Sequence, residues 1–166
     1  MKTLLAYSSK TGNTKKFCEA VFNNIKDNAD IEIYTVKQAP AIDEYDLVIV
    51  GYWVDKGTAN TEARKFIESI KNKKVALLGT LGAAPDSEHG KKTIVKVGKL
   101  VDSSNEFLGI RLARGKVTEK LTKAIKLLPL PKHIKEQMYE SSVNSREPNE
   151  EEISNATEFI KTALGV

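Results

Sequence analysis

The chain has 166 residues with a formal net charge of +4, 29% charged and 40% hydrophobic residues, one Cys and two His. That length suits a single domain with its own core; no apolar run approaches the ~20 residues that span a bilayer, and the apolar stretch after Met1 and Lys2 is too short for a signal peptide. A lone Cys18 excludes an internal disulfide, and His89 with His133 makes no zinc or iron–sulfur cluster, so any redox chemistry needs an organic cofactor and no metal site is expected.

Leu4, Leu5, Ala6 and Tyr7 form a first buried strand, which leaves through Ser8, Ser9, Lys10, Thr11, Gly12, Asn13 and Thr14 into helical spacing. A strand that stops at a hydroxyl-rich turn and restarts as a helix leaves several N–H groups unpaired near the positive end of the helix dipole. With four hydroxyls, a glycine that admits close backbone approach and lysines around it, this turn is built for a phosphate. Ordinary helix capping by Ser and Thr is the plainer alternative. No G-x-x-x-x-G-K-[ST] or G-x-G-x-x-G run is present.

Phe17, Cys18, Val21, Phe22 and Ile25 then recur at helical spacing and predict a helix over 13–27, with Cys18 as a buried, inert thiol in its stripe. Residues 31–36 alternate and are rich in β-branched side chains, as at a sheet edge. Residues 47–51 are apolar throughout and predict a central parallel strand. After Tyr52, Trp53, Val54, Asp55, Lys56, Gly57 and Thr58 comes a helix with Ala63, Phe66, Ile67 and Ile70 on one side, capped by Thr58 or Asn60.

A second buried strand over 74–79 ends in a loop of small residues, 80–85, that contains Thr80, Leu81, Gly82 and Ala83. A helix carrying Ile94, Val97 and Val101 precedes a fifth strand over 105–112. The segment 113–146 adds material: Val117, Leu121, Ile125 and Leu128 make one amphipathic helix, stopped by Pro129 and Pro131, and Ile134 with Met138 a shorter one. Asn149 with Glu152 three residues on opens the closing helix, whose stripe is Ile153, Ala156, Ile160 and Leu164. Five strands alternating with helices are the signature of an α/β fold, a parallel sheet covered on both sides.

Charge is uneven. Residues 91–135 hold twelve Lys or Arg against three Asp or Glu, whereas 147–158 is acidic. No nucleic-acid motif accompanies the basic residues, so no nucleic acid is expected; a solvated lysine-rich face is the plain reading and an acidic protein partner the sharper one.

The spacing Ser9-x-Thr11-Gly12-x-Thr14 directly after the first strand resembles the FMN-phosphate loop of the flavodoxin family, and with the later segments the resemblance covers nearly the whole chain. It implies a doubly wound five-stranded parallel sheet of flavodoxin-like order 2-1-3-4-5 in a three-layer α/β/α sandwich, one domain over 1–166 with 113–146 as an added helical segment. FMN would then lie at the carboxyl ends of the strands, held by residues 8–14, 52–57 and 80–83. Trp53 would stack on the isoalloxazine, or else anchor its loop by packing, with Tyr52 turned inward. The Lys56–Gly57 peptide would turn a carbonyl toward the flavin N5, a plain turn glycine being the alternative. Lacking an aromatic residue, the third loop leaves Leu81 and the Gly82 and Ala83 backbone to cover the other face. The chain departs from the family pattern at Cys18 and Ala6 and in its basic charge, which would make the second flavin potential less negative.

The expected function is that of a cytoplasmic, monomeric FMN electron carrier, with no membrane association and no catalytic residue, serving redox partner proteins that present an acidic docking surface. Two alternatives stand beside it. One is an FMN-dependent reductase or oxidase acting on a quinone, tetrapyrrole or similar flat substrate walled in part by 113–146; the other is a flavin-free binding partner.

Overall fold

The computed structural model describes residues 1–166. β1 (Thr3–Tyr7) is followed by α1 (Asn13–Ile25), β2 (Ile31–Thr35) and a single 3₁₀ turn, Val36–Gln38. β3 (Leu47–Asp55), β4 (Thr58–Ala59), α2 (Thr61–Ser69), β5 (Lys74–Leu81), α3 (Glu88–Gly98) and β6 (Glu106–Arg114) come next, then α4 (Glu119–Ile125), α5 (Lys132–Val143) and α6 (Glu150–Leu164).

The sheet order is β2-β1-β3-β5-β6, all parallel, with the two-residue β4 paired antiparallel to the end of β3. Setting β4 aside, this is the order 2-1-3-4-5 expected from the sequence. The chain winds one way from β1 to β2 and the other way from β1 to β3, so the switch point lies between β1 and β3, where parallel α/β sheets open a crevice at their carboxyl ends. β2 is an edge strand with part-exposed side chains, and β1 is buried along its length.

Successive strand residues point to opposite faces, so the apolar strands feed two cores. Leu4, Ala6, Val48, Val50, Val75 and Leu77 pack with Ala63 and Ile67 of α2 and Val97 of α3. Leu5, Tyr7, Leu47, Ile49, Ala76 and Leu78 pack with α1 and with Ala156 and Ile160 of α6. Helices therefore cover both faces in three layers. Gly51 lets α1 approach the sheet closely: a Cβ there would lie 2.4 Å from Cys18 Sγ and 2.7 Å from Tyr7 Cβ. Cys18 is fully buried, and burial pushes its thiol far above the ordinary range, which makes it inert.

Several features differ from the sequence expectation: the helix expected from Val117 to Leu128 is confined to Glu119–Ile125, Val101 lies beyond the end of α3, and three strands depart in detail. β3 runs on through Trp53 to Asp55 and turns back at Lys56 and Gly57, both with positive φ, into β4. β5 continues through Thr80 and Leu81, which pair with Ala113 and Arg114 of β6. In β6 the register slips between Phe107 and Gly109, a bulge that leaves Leu108 unpaired. No helix is long and apolar enough to cross a membrane.

Candidate functional site at the switch point

The turn after β1 is short of acceptors. Gly12 occupies the N-cap of α1 at φ +97° and supplies no side-chain cap. The backbone N–H of Ser8 donates to Gly51 O, but those of Ser9, Lys10, Thr11, Gly12, Asn13 and Thr14 find no acceptor within the protein. Six consecutive donors at a helix N-terminus form an anion-binding concavity. Around it, Ser9 Oγ accepts from Lys15 N at 3.3 Å and Thr11 Oγ1 accepts from Asn13 Nδ2 at 3.2 Å, leaving both hydroxyl protons free to donate. Lys15 faces Glu19 and Lys16 faces Glu147 in solvent-exposed pairs.

Two hydroxyls of the turn work inward. Thr14 Oγ1 lies 2.8 Å from Thr80 Oγ1, a buried hydrogen bond that ties α1 to the end of β5. Ser8 Oγ donates to Glu62 Oε2 at 2.7 Å and accepts from Asn60 Nδ2 at 2.9 Å. Asn60 Oδ1 in turn accepts the N–H of Trp53 at 3.2 Å, and Asn60 N donates to Trp53 O at 3.0 Å. Asn60 thus locks the tryptophan strand to the turn after β1. The Ser8 hydroxyl holds the Glu62 carboxyl below its ordinary value against the upward push of burial, and Lys37, 3.3 Å away, adds to the lowering. Sequence reasoning reached neither Asn60 nor Glu62 in these roles. The nearest signal was an Asn between two turn-like residues and a helix start, which reads first as a cap.

The second loop is a hairpin. Trp53 is half-buried on the α1 side of the sheet, and Lys10 Nζ stands 5.5 Å from its ring centroid, so the turn after β1 and the tryptophan lie side by side. Tyr52 points the other way and is wholly buried; Gly79 leaves room for its ring, its hydroxyl has no partner, and burial pushes its ionisation upward. Val54 and Asp55 lie in the hairpin ladder, and Lys56 is exposed at the tip beside Gly57. His89, at the start of α3, comes close to that tip: a Cβ on Gly57 would be 3.9 Å from His89 Cε1.

At the third loop Thr80 and Leu81 are buried strand residues, while Gly82 and Ala83 are partly exposed. The added segment reaches this point. Asn13 Nδ2 donates to the Lys116 carbonyl at 3.0 Å, and Val117 packs on Gly82, where a Cβ would meet its methyl at 2.6 Å. Residues 116 and 117 therefore join the first and third loops, a contact that helical spacing alone does not reveal.

A family model for a flavodoxin domain matches residues 4–161. The chain is 36% identical over 170 residues, 99% of its own length and 97% of the relative's, to the flavodoxin-like domain-containing protein BilS of Clostridioides difficile. Among solved structures it is similar to a flavoprotein in complex with FMN from Lactobacillus acidophilus, at TM-score 0.54 and 22% identity over 68% of this chain and 92% of that one. It is also similar to the two-electron reduced flavodoxin of Megasphaera elsdenii, at TM-score 0.55 and 15% identity over 85% and 98% of the two chains. The structural likenesses carry the fold; the family model and the curated relative place this chain in the flavodoxin family. Proteins of this fold hold FMN at the β1/β3 switch point, and FMN is the cofactor of this chain on that membership. The residues present fit it: free N–H donors and hydroxyls meet a phosphate, and a half-buried indole stands beside them.

Proposed function

We propose that the protein is an FMN-dependent one-electron carrier that delivers electrons to a partner protein. The observation that carries this reading is the row of unpaired N–H donors from Ser9 to Thr14, in a turn whose Lys10 Nζ stands 5.5 Å from the Trp53 ring centroid. Bound there, FMN supplies the redox chemistry, accepting and releasing electrons singly or in pairs.

The chain binds, orients and tunes. The backbone of 9–14 and the hydroxyls of Ser9 and Thr11 anchor the phosphate, with Lys10 adding positive charge. Asn60 and Ser8 fix the position of the Trp53 strand, so its indole is a preorganised wall for the ring rather than a mobile one. The Lys56–Gly57 tip carries the one backbone carbonyl in this region whose flanking residues both have positive φ, which suits it to approach the ring edge. The Glu62 carboxylate is committed to Ser8 and Lys37.

The test is anaerobic. Photoreduced, FMN-loaded protein should pass electrons rapidly to ferricyanide, and should not turn over NAD(P)H with a quinone. Sustained NAD(P)H oxidation in the presence of quinone would overturn the carrier reading in favour of an enzyme.

A further inference from the structure

The helical pair α4 and α5 is barely part of the core. Ile125 is the buried residue of α4 and Ser142 that of α5. The two helices pack on each other, joined by a Thr122–Ser142 hydroxyl bond, while the Arg114 guanidinium donates to Ser141 O and Val117 N to Ser145 Oγ. Large apolar side chains are left in solvent: Leu127 is 87% exposed and Val143 58%. Such residues gain nothing from the domain's own folding, and exposed apolar side chains set beside lysines are open to a partner.

Lys135, Tyr139 and Val143 follow at i, i+4 spacing and share one stripe of α5. Lys126 Nζ stands 4.6 Å from the Tyr139 ring centroid, and Lys135 Nζ reaches Lys126 O at 3.4 Å. An apolar stripe flanked by lysines fits a partner with an acidic rim around an apolar centre. Glu136 and Glu140, one position on from Lys135 and Tyr139, make the face mixed in charge, as protein interfaces are, and unlike the uninterrupted lysine clusters that bind anionic lipid. The pair grows directly from the cofactor site, since Lys116 is bonded to Asn13 and Val117 packs on Gly82.

Resting on the carrier reading, we propose that α4 and α5 form a docking platform that seats an acidic redox partner protein beside the flavin. Partner choice then resides in the added segment rather than in the flavin loops. On docking, one electron leaves the reduced flavin and reduces the partner's oxidised centre.

Cytochrome b5, an acidic haem protein, serves as the probe, and basic cytochrome c as its opposite. Amide NMR shifts on adding cytochrome b5 should fall on 116–143 in apo and FMN-loaded protein alike. In the double variant Lys126→Glu/Lys135→Glu, FMN binding and reduction of ferricyanide should be unchanged. Reduction of ferric cytochrome b5 should slow about tenfold at low salt and that of cytochrome c should rise. A rate to cytochrome b5 that ignores the double variant, or shifts centred away from 116–143, overturns the proposal. So does sedimentation with phosphatidylserine vesicles that the variant abolishes while cytochrome b5 causes no shifts. Shifts confined to 116–143 in a chain that binds no FMN would retain the platform and sink the carrier reading instead.

Discussion

At the scale of single residues, the site depends on donors left free and on side chains that keep other groups in place. Glu62 belongs to the second kind. Its carboxyl titrates below its ordinary value of 4.5 in the fold, chiefly because it accepts the Ser8 hydroxyl. A carboxyl whose folded pKa is depressed stabilises the fold above its unfolded value, and that stabilisation disappears as pH falls through the folded value. Glu62→Gln should therefore lower stability at pH 7 and lose that deficit on acidification, as read by urea unfolding of both proteins at pH 7 and at pH 3. An equal gap at both pH values would show that Glu62 acts by packing alone. Tyr52 and Trp53 show how much one position matters in a strand: alternation sends Tyr52 into the core and leaves Trp53 half-buried on the opposite face of the sheet.

At the scale of elements, α6 is pinned at its start. Asn149 Oδ1 accepts Glu152 N at 2.9 Å while Glu152 Oε2 accepts Asn149 N at 3.0 Å, a complete capping box. The same carboxylate accepts Arg114 N at the end of β6 and pairs with both terminal nitrogens of Arg146. Burial pushes the Glu152 carboxyl up, but the Arg146 guanidinium and the two backbone donors outweigh it and hold it below the ordinary value. Asn149→Ala should cost about 1 kcal/mol in denaturant unfolding; no measurable loss would mean that Glu152 anchors the helix without the cap. This box was legible in the sequence, because Asn and Glu at that spacing before an apolar stripe have one common use. The strands of the parallel sheet were legible from two patterns: short apolar runs for β1, β3 and β5, buried on both faces, and alternation with β-branched residues for the edge strand β2. The β3–β4 hairpin was not, since a two-residue strand carries no period and Lys56–Gly57 lacks the usual Asn-Gly or Asp-Gly signal. Nor was the position of α4 and α5. Periodicity shows which side of a helix is apolar, and says nothing about whether the domain covers it.

At the scale of the whole molecule, two windings from β1 open the crevice, and the first turn and the β3 hairpin close on it from either side of the switch point. The resemblance read from Ser9, Thr11, Gly12 and Thr14 is met by the topology and by family membership. What the chain adds is the surface between residues 115 and 146, basic in sequence and exposed in structure. Whether the turn 9–14 grips a flavin by its phosphate is decided by paired titrations with FMN and with riboflavin. Charge-assisted bonds from several backbone donors contribute roughly 1.5–3 kcal/mol each. FMN should therefore bind one to one, with its fluorescence quenched, at least about a hundredfold more tightly than riboflavin. Equal affinity for the two flavins, or binding of neither, would contradict the account.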